Sequence, residues 1–259
     1  MAESFADRVA GVAAEVAAMA LARQKKDFAR WEKVPGHPVC DVDLDADRML
    51  RERLAALDPE AGWLSEETAD SADRLLGPRV WVVDPIDGTR DYLRGRSGWA
   101  VSVALVEGGQ PVIGVLDAPG RGERWRAETG KGATLNGRPI HAAVRDRLPG
   151  ARVPADGLPK IDADLVAVDK PNSIALRIAL VAAGQADLVA TLRWGFEWDV
   201  AAAVLIAREA GAEASDAIGR ALSFNSTSAE IFGVLVSAPG IHAAAIERLA
   251  ERAAAAIVR

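Results

Sequence analysis

The segment from Val80 to Thr89 carries the residues best suited to chemistry. It places two carboxylates, Asp84 and Asp87, three residues apart at the end of an apolar, β-branched run. An unpaired carboxylate in a protein interior costs several kcal/mol, so the pattern favours a cation held between the two acids. Gly88 and Thr89 add backbone N–H groups where a short helix could start, which is a natural anion site. A metal and an anion at one turn predict chemistry on a phosphate group.

Three further acidic positions are candidate ligands, and each has an ordinary alternative. Asp43 lies in the acidic run 41–47, where capping of a helix or pairing with Arg48 explains the charges at least as well. Glu66 belongs to an acidic pair in a loop, and such pairs are usually solvated. Asp199 precedes an almost wholly apolar helix, so its spacing favours an N-cap, although capping and metal binding are compatible.

The hydrophobic pattern predicts the elements that would position these residues. The segment 31–38 holds two prolines and a glycine, which predicts a loop. Helices are predicted at 3–30, from near Asp43 to before Pro59, and at 173–183, 199–210 and 241–257. Strands are predicted at 61–64, 99–106, 111–116, around Asn136-Gly137, and at 165–168, 188–192 and 231–237.

These elements fall into two groups. Strands dominate the N-terminal part after its first two helices, whereas strand and helix alternate in the C-terminal part. The region 145–162 is rich in proline, glycine and charge, so it is the best candidate for a boundary. The predicted organisation is therefore an α/β protein with an α+β lobe at 1–150 and an α/β lobe at 151–259. The first lobe supplies most of the candidate ligands, and the second supplies Asp199 and a wall of the cleft.

The bulk properties exclude several classes of protein. The chain has 259 residues, half of them apolar, and its net charge of −6 is spread along the sequence. That distribution is unlike a surface that binds a nucleic acid polymer. Cys40 is the only cysteine, so no intrachain disulfide is possible, and the three histidines lack metal-ligand spacing. The N-terminus is acidic and too polar to insert in a membrane, so a cytoplasmic location is expected.

Four motifs, in order along nearly the whole chain, resemble the inositol monophosphatase superfamily of metal-dependent, lithium-sensitive phosphatases. The segment 39–43 is similar to the family's V-T-x-x-D, and 65–67 to its G-E-E. The segment 84–89 matches D-P-[IL]-D-G-T, and Trp198-Asp199 with the small residues after it matches W-D-x-A. Two positions depart from the family pattern: Cys40 replaces a threonine or serine, and Ser65 replaces a glycine.

The resemblance implies a layered αβαβα sandwich of the inositol monophosphatase and fructose-1,6-bisphosphatase type. It also implies two or three Mg²⁺ ions in all-oxygen sites. Glu66, Asp84 and the backbone carbonyl of Ile86 look like ligands of the first ion. Asp84, Asp87 and Asp199 look like ligands of the second.

The same resemblance implies a reaction, the hydrolysis of a phosphomonoester by metal-activated water. Glu66 would position the water and take its proton, together with Thr89. Asp43 would hold Thr89 by a hydrogen bond or would line a third, weaker metal site. The backbone N–H groups of Gly88 and Thr89 would hold the phosphate oxygens.

The segment 192–199, on the wall of the predicted cleft, should determine which substrate binds. Inositol phosphatases of the family generally have a glutamate a few residues before the W-D motif, which grips the ring hydroxyls, and this chain has Leu192 or Arg193 in that vicinity. The wall and the Ser173 to Arg177 segment look more like bacterial 3'(2'),5'-bisphosphate nucleotidases, which convert 3'-phosphoadenosine 5'-phosphate to AMP and phosphate. Arg193 or Arg177 would suit a second phosphate, although both could be solvated surface charges.

Several alternatives stay open. The chain could be an inositol-1-monophosphatase or a related sugar or polyol phosphatase. It could also be a non-catalytic protein that binds phosphorylated ligands, or a structural protein stabilised by Ca²⁺, although none of the carboxylates of the motifs is missing. A homodimer fits the resemblance because the family is often dimeric. Trp125 could then lie at a dimer face or in the core.

Overall fold

The computed structural model describes residues 4–34 and 36–258. Helix α1 runs from Phe5 to Gln24 and begins with a capping box. Ser4 Oγ accepts a hydrogen bond from the N–H of Asp7 at 3.1 Å, and Asp7 returns one to the N–H of Ser4 at 3.0 Å. The helix ends six residues before the predicted boundary at residue 30, because the chain there enters a strand. Helix α2, Asp41–Leu57, lies close to its prediction.

The prediction of a loop at 31–38 is wrong. Strand β1, Arg30–Val34, pairs antiparallel with β2, His37–Cys40, in a two-stranded ribbon. Pro38 stands opposite Glu32 in this ribbon, and no other strand of the described residues pairs with it. A proline is tolerated there because a strand at the edge of a sheet need not donate every N–H. Pro35, the other proline of the segment, lies outside the described residues.

A seven-stranded sheet forms the centre of the N-terminal part. Its strands follow one another in chain order, with β3 parallel to β4 and every other pair antiparallel. A short helix, α3, Thr89–Leu93, separates the second and third strands. The strands are β3 Gly62–Ser65, β4 Arg79–Asp87, β5 Ala100–Glu107, β6 Gln110–Ala118, β7 Glu123–Glu128, β8 Ala133–Leu135 and β9 Arg138–Pro139.

The C-terminal part alternates strands and helices as predicted. Strand β14 lies between β12 and β13 and is antiparallel to both, while β10 and β11 form a small parallel pair. No helix among the described residues is long and apolar enough to cross a membrane. The elements are β10 Arg152–Pro154, β11 Val166–Val168, α4 Ile174–Ala182, β12 Leu188–Phe196, α5 Ala201–Glu209, β13 Glu213–Ser215, β14 Glu230–Ser237 and α6 His242–Ile257.

Alternation of side chains along the strands builds the layers. On β4, Trp81 faces the core under α1 and α2, while Val82 faces the core under α4 and α5. On β14, Val234 faces α4 and α5, and Leu235 faces α6. The order of layers is therefore helix, sheet, helix, sheet, helix, which confirms the αβαβα sandwich. Trp125 is fully buried in the core between the sheets, so it is a core residue.

One pair of helices packs between the two sheets. Residues of α4 and α5 share a single hydrophobic cluster with strands of both sheets. The division into lobes at 1–150 and 151–259 stays a prediction, because this shared core crosses the proposed boundary.

His242, the first residue of α6, links three elements. It is 6% exposed, with Nδ1 2.9 Å from Ser237 Oγ on β14 and Nε2 3.1 Å from Ser215 Oγ on β13. Burial lowers the pKa of His242 below 6.5, against the opposing effect of the Glu213 charge. The unfolded chain therefore binds more protons below that pH. The stabilising contribution of this residue is present at neutral pH and is lost as the pH falls below the unfolded pKa.

We expect His242→Gln to lower the free energy of unfolding by about 1–2 kcal/mol at about pH 8, since two buried hydrogen bonds are disturbed. The difference in unfolding free energy between variant and wild type should shrink towards about pH 5. At that pH the unfolded wild type binds a proton at His242 that the folded wild type resists, which destabilises the folded wild type. Urea unfolding at a series of pH values measures this. His141→Gln, at an exposed histidine, is the control, and a difference that stays constant with pH would contradict the prediction.

Candidate active site

Asp84 and Asp87 lie where the pairing of β4 with β5 becomes irregular. Asp84 is opposite Ser102 and Asp87 is opposite Ala100, so three steps on β4 match two on β5. Such a bulge redirects side chains and is common next to active sites. Asp84 is 2% exposed, and its Oδ1 accepts a hydrogen bond from the N–H of Ile86 at 3.0 Å. The apolar strand β4 thus ends in a buried carboxylate that accepts a hydrogen bond from the turn that follows it.

Asp87 joins the strand to α4. Its carboxylate accepts hydrogen bonds from the hydroxyl of Ser173, from the N–H of Ala175 at 2.8 Å and from the N–H of Ile174 at 3.3 Å. These donors form the N-terminus of the helix, where a negative charge is favoured. A carboxylate offers about four lone-pair positions, so these bonds leave room for a cation.

Ser173 and Arg177 both make hydrogen bonds within the protein around the N-terminus of α4. Ser173 is fully buried, and its Oγ also accepts from the N–H of Leu176 at 2.9 Å, so it caps α4 and positions Asp87. Its contact with substrate stays a prediction. Arg177 donates from Nε and Nη2 to the carbonyls of Pro171 and Asn172, both at 2.7 Å. It therefore fixes the segment before α4, and its role at a second phosphate stays a prediction.

The Gly-Thr pair forms a tight turn at the start of α3. Gly88 has a φ of +96°, and a Cβ there would lie 2.7 Å from the carbonyl oxygen of Gly98 and 2.9 Å from the N of Ser173. Only glycine satisfies both limits. The hydroxyl of Thr89 donates to the carbonyl of Ile86 at 3.1 Å. The Thr89 hydroxyl is thus bonded to Ile86 and not to Asp43 as predicted. The carbonyl of Ile86 keeps a second lone pair for the predicted metal.

Asp43 lies in the first turn of α2 and caps the N-terminus of that helix. Its Oδ2 accepts from the N–H of Cys40 at 2.8 Å and from the Cys40 thiol at 2.9 Å. The thiol thus takes the place of the hydroxyl expected at this position. Burial is the main cause that raises the pKa of Asp43 to about 6, and the two bonds from Cys40 oppose it. Capping, the ordinary alternative for this residue, is what the structure shows.

The segment with Glu66 is fixed by a residue that sequence reasoning did not single out. Asp47 on α2 is 7% exposed and accepts hydrogen bonds from the hydroxyls of Ser65 and Thr68, which flank the two glutamates. Ser65, the departure from the family's glycine, is therefore the donor that ties this segment to α2. The only signal in the sequence was the membership of Asp47 in the acidic run 41–47.

Lys33 on β1 also reaches this segment. Its Nζ lies 3.5 Å from Glu66 Oε1 and donates to a carboxylate oxygen of Glu67. Glu67 is nearly buried as a side chain, and burial raises its pKa to about 7 while the bond from Lys33 opposes the shift. Nothing in the sequence around Lys33 signalled this contact, because the segment was predicted to be a loop.

Asp199 is not the N-cap of α5. It is the last residue of a 3₁₀ turn, Glu197–Asp199, and Val200 occupies the cap position of the helix. Its Oδ2 accepts a hydrogen bond from the N–H of Phe196 at 3.3 Å. The turn packs against β4 and β5, which brings Asp199 to the part of the molecule that holds Asp84 and Asp87.

Electrostatics shows that these acids share one region. The pKa of Asp84 is raised well above its usual range by burial and then by the charges of Glu66 and Asp87. Burial raises the pKa of Asp199 to about 8, with further contributions from Asp87 and Glu66. Burial likewise raises the pKa of Asp87 to about 6 against the bond from Ser173. Acidic groups that repel each other in this way need a positive charge if all are to be ionised.

The donor set fits a hard divalent cation, although the side chains are not gathered around one point. Within residues 4–34 and 36–258, no three His, Cys, Asp or Glu side chains stand close enough together to enclose a metal ion. Each carboxylate instead takes bonds from its own turn, from α4 or from Lys33. The donors are oxygens, which Mg²⁺ prefers. A cation would supply the charge that the raised pKa values of Asp84 and Asp199 show to be lacking.

Comparisons with known proteins agree with this fold and site. The model of the inositol monophosphatase family matches residues 2–259. The inositol-1-monophosphatase of Rhizobium meliloti (strain 1021) is 34% identical over 207 residues, covering 72% of this chain and 75% of that protein. The 3'(2'),5'-bisphosphate nucleotidase CysQ of Escherichia coli (strain K12) is 30% identical over 207 residues, covering 74% of this chain and 81% of that protein.

A solved structure shows the same architecture. The extragenic suppressor protein suhB from Bartonella henselae superposes with a TM-score of 0.80 at 26% identity, covering 92% of this chain and 95% of that one. The layered sandwich and the family match identify a phosphatase of the metal-dependent type. This chain belongs to the inositol monophosphatase family, whose members are phosphoric monoester hydrolases and depend on a metal, typically Mg²⁺.

Proposed function

We propose that this protein is a Mg²⁺-dependent phosphomonoesterase that acts on a 3'(2'),5'-bisphosphate nucleotide. The observation that carries the proposal is the burial of Asp84 and Asp87 at the end of β4, against which the turn that ends in Asp199 also packs. These carboxylates would hold Mg²⁺, with the carbonyl of Ile86 as a further oxygen donor. Bound Mg²⁺ would neutralise phosphate oxygens and make a water molecule more acidic. Cys40 as a free thiol fits a reducing cytoplasm.

The residues of the chain would position the reacting groups. Glu66 would accept the proton of the attacking water, and its side chain is 29% exposed, so water can reach it. Asp47 would hold Glu66 in place through Ser65. The N–H groups of Gly88 and Thr89 would donate to phosphate oxygens at the start of α3. Asp43, through Cys40, would fix the helix beside them.

Arg193 supports a substrate with a second phosphate. It is exposed on β12, and its charge acts on both Asp199 and Arg177, which places it at the edge of the acidic region. No ion pair between described residues includes Arg193, so its guanidinium is available to an anion. The guanidinium geometry suits a phosphate through two parallel hydrogen bonds.

Inositol 1-phosphate is the second candidate substrate. The observation that favours it is the 34% identity to the inositol-1-monophosphatase of Rhizobium meliloti, against 30% to the nucleotidase of Escherichia coli. The wall residues Leu192 and Arg193 weigh on the other side, because neither can accept a hydrogen bond from a ring hydroxyl with its side chain.

We expect the purified protein with Mg²⁺ to release phosphate from 3'-phosphoadenosine 5'-phosphate with a higher kcat/KM than from inositol 1-phosphate. Lithium should inhibit both reactions. Parallel phosphate-release assays on the two substrates measure the preference, with the metal omitted as a control. A reversed preference would overturn the nucleotidase, while absence of Mg²⁺-dependent release from either substrate would favour a protein that only binds phosphorylated ligands.

A further inference from the structure

Phe196 offers an open aromatic face beside the proposed active site. It is the last residue of β12 and is 36% exposed. One face of its ring is stacked on Trp198, with ring centroids 4.4 Å apart and an angle of 8° between the planes. Its backbone N–H donates to Asp199, so the ring stands next to one of the proposed metal ligands.

An irregularity built into the sheet directs this end of β12. The pairing of β12 with β14 changes register between Thr191 and Trp194. Opposite it, Gly233 has a φ of +64°, and a Cβ there would lie 2.1 Å from the carbonyl oxygen of Thr191, so glycine is required. Thr191 Oγ1 also accepts from the N–H of Val234 at 3.0 Å. The strand therefore continues through a fixed bulge, which sets the direction of Phe196.

We propose that the open face of Phe196 stacks on the nucleobase of the substrate. This inference rests on the proposed nucleotidase function and adds the residue that would recognise the base. Aromatic side chains stack on any base through its π face, whereas the ring of an inositol has no such face. Trp198 supports Phe196 from behind, so little freedom is lost when a base binds in front.

The surroundings favour a small ring over a protein partner. On β12 only Trp194 joins Phe196 among the exposed large apolar side chains of the described residues. Two rings cover far less than the roughly 800 Å² that each partner of a stable protein interface contributes. Arg193 lies three residues before Phe196, so a phosphate and a base would be bound by the same end of one strand.

The test compares Phe196→Leu with Phe196→Tyr. We expect Phe196→Leu to weaken the binding of AMP, measured by calorimetry with Mg²⁺ present, by about 10-fold. The ratio of kcat/KM for 3'-phosphoadenosine 5'-phosphate to that for inositol 1-phosphate should fall by a similar factor, mainly through KM of the nucleotide. Phe196→Tyr keeps the ring, so it should bind AMP as wild type does.

The outcomes separate this inference from the proposed function. Equal AMP affinity in wild type and Phe196→Leu would overturn the stacking. A change of sedimentation coefficient in Phe196→Leu, with AMP affinity unchanged, would mean that a second copy of the chain covers the ring, and would overturn it too. A wild type that prefers inositol 1-phosphate would overturn the nucleotidase assignment, and the AMP measurement would still decide the role of Phe196.

Discussion

Asp84→Asn should reduce kcat of the Mg²⁺-dependent reaction by about 10³-fold or more. Asp84 is 2% exposed, and the charges of Glu66, Asp87, Asp199 and Asp43 all act on it. The amide keeps an oxygen that can accept the hydrogen bond from Ile86, and it removes a buried charge. The fold should therefore persist, while the main electrostatic attraction for a divalent cation is lost.

Two measurements check this result. Phosphate release gives the loss of turnover, and thermal unfolding with and without Mg²⁺ gives the loss of metal binding. Without metal, the variant should unfold at the wild-type temperature or higher, because one of several repelling charges is gone. Asp117→Asn is the matched control, since Asp117 is also a buried acid but is paired with Arg124 at 3.1 Å. Full activity in Asp84→Asn would refute the proposed metal site.

Asp84 and Asp87 could be proposed as site residues from the sequence because residue type and spacing are local properties. Asp84 and Asp87 end an apolar run. Two acids at the end of a buried strand require a cation or another partner from outside the strand. The motifs around Glu66 and Asp199 completed the set through resemblance. The hydrophobic periods predicted individual helices and strands. The order of the layers came from the family resemblance.

The partners of these acids could not be predicted, because they come from distant parts of the chain. Ser173 lies 86 residues after Asp87, yet its hydroxyl is bonded to that carboxylate. The ribbon β1–β2 was missed because prolines signal a loop locally, whereas pairing between strands is a tertiary effect. The extension of β12 to Phe196 depends on Gly233, which stands on another strand. In each case the unpredicted feature depends on a contact between residues that are far apart in the sequence.

A buried arginine ties the loop that follows Glu66 to the C-terminal part of the chain. The Arg74 side chain is 1% exposed and makes a pair of hydrogen bonds with Asp70. It also donates to the side-chain oxygen of Asn225 and, at 2.8 Å, to the carbonyl of Ser226. Glu197, which is fully buried, accepts from the N–H groups of the same two residues. Arg74 and Glu197 thus hold one loop from opposite sides.

Arg74→Ala should lower the free energy of unfolding by about 1–3 kcal/mol, because it leaves the half-buried side-chain oxygen of Asn225 and the carbonyl of Ser226 without their donor. The melting temperature should fall by about 4–8 °C. Urea and thermal unfolding measure the two quantities. Arg53→Ala is the control, since Arg53 pairs with Glu15 on the surface between α1 and α2 and should matter little.

The same variant also tests the link to the active site. Glu197 lies two residues before Asp199, and Arg74 lies in the connection that begins with Glu66, so loosening the loop 225–226 should let the two proposed ligand segments move apart. We expect Arg74→Ala to need more Mg²⁺ for half-maximal activity at temperatures where it is fully folded, whereas Arg53→Ala should need no more than wild type. If Arg74→Ala has the same free energy of unfolding as Arg53→Ala, Arg74 does not stabilise the connection between the two parts of the chain. If it is unstable but has wild-type Mg²⁺ dependence, the tie stabilises the fold without positioning the acids.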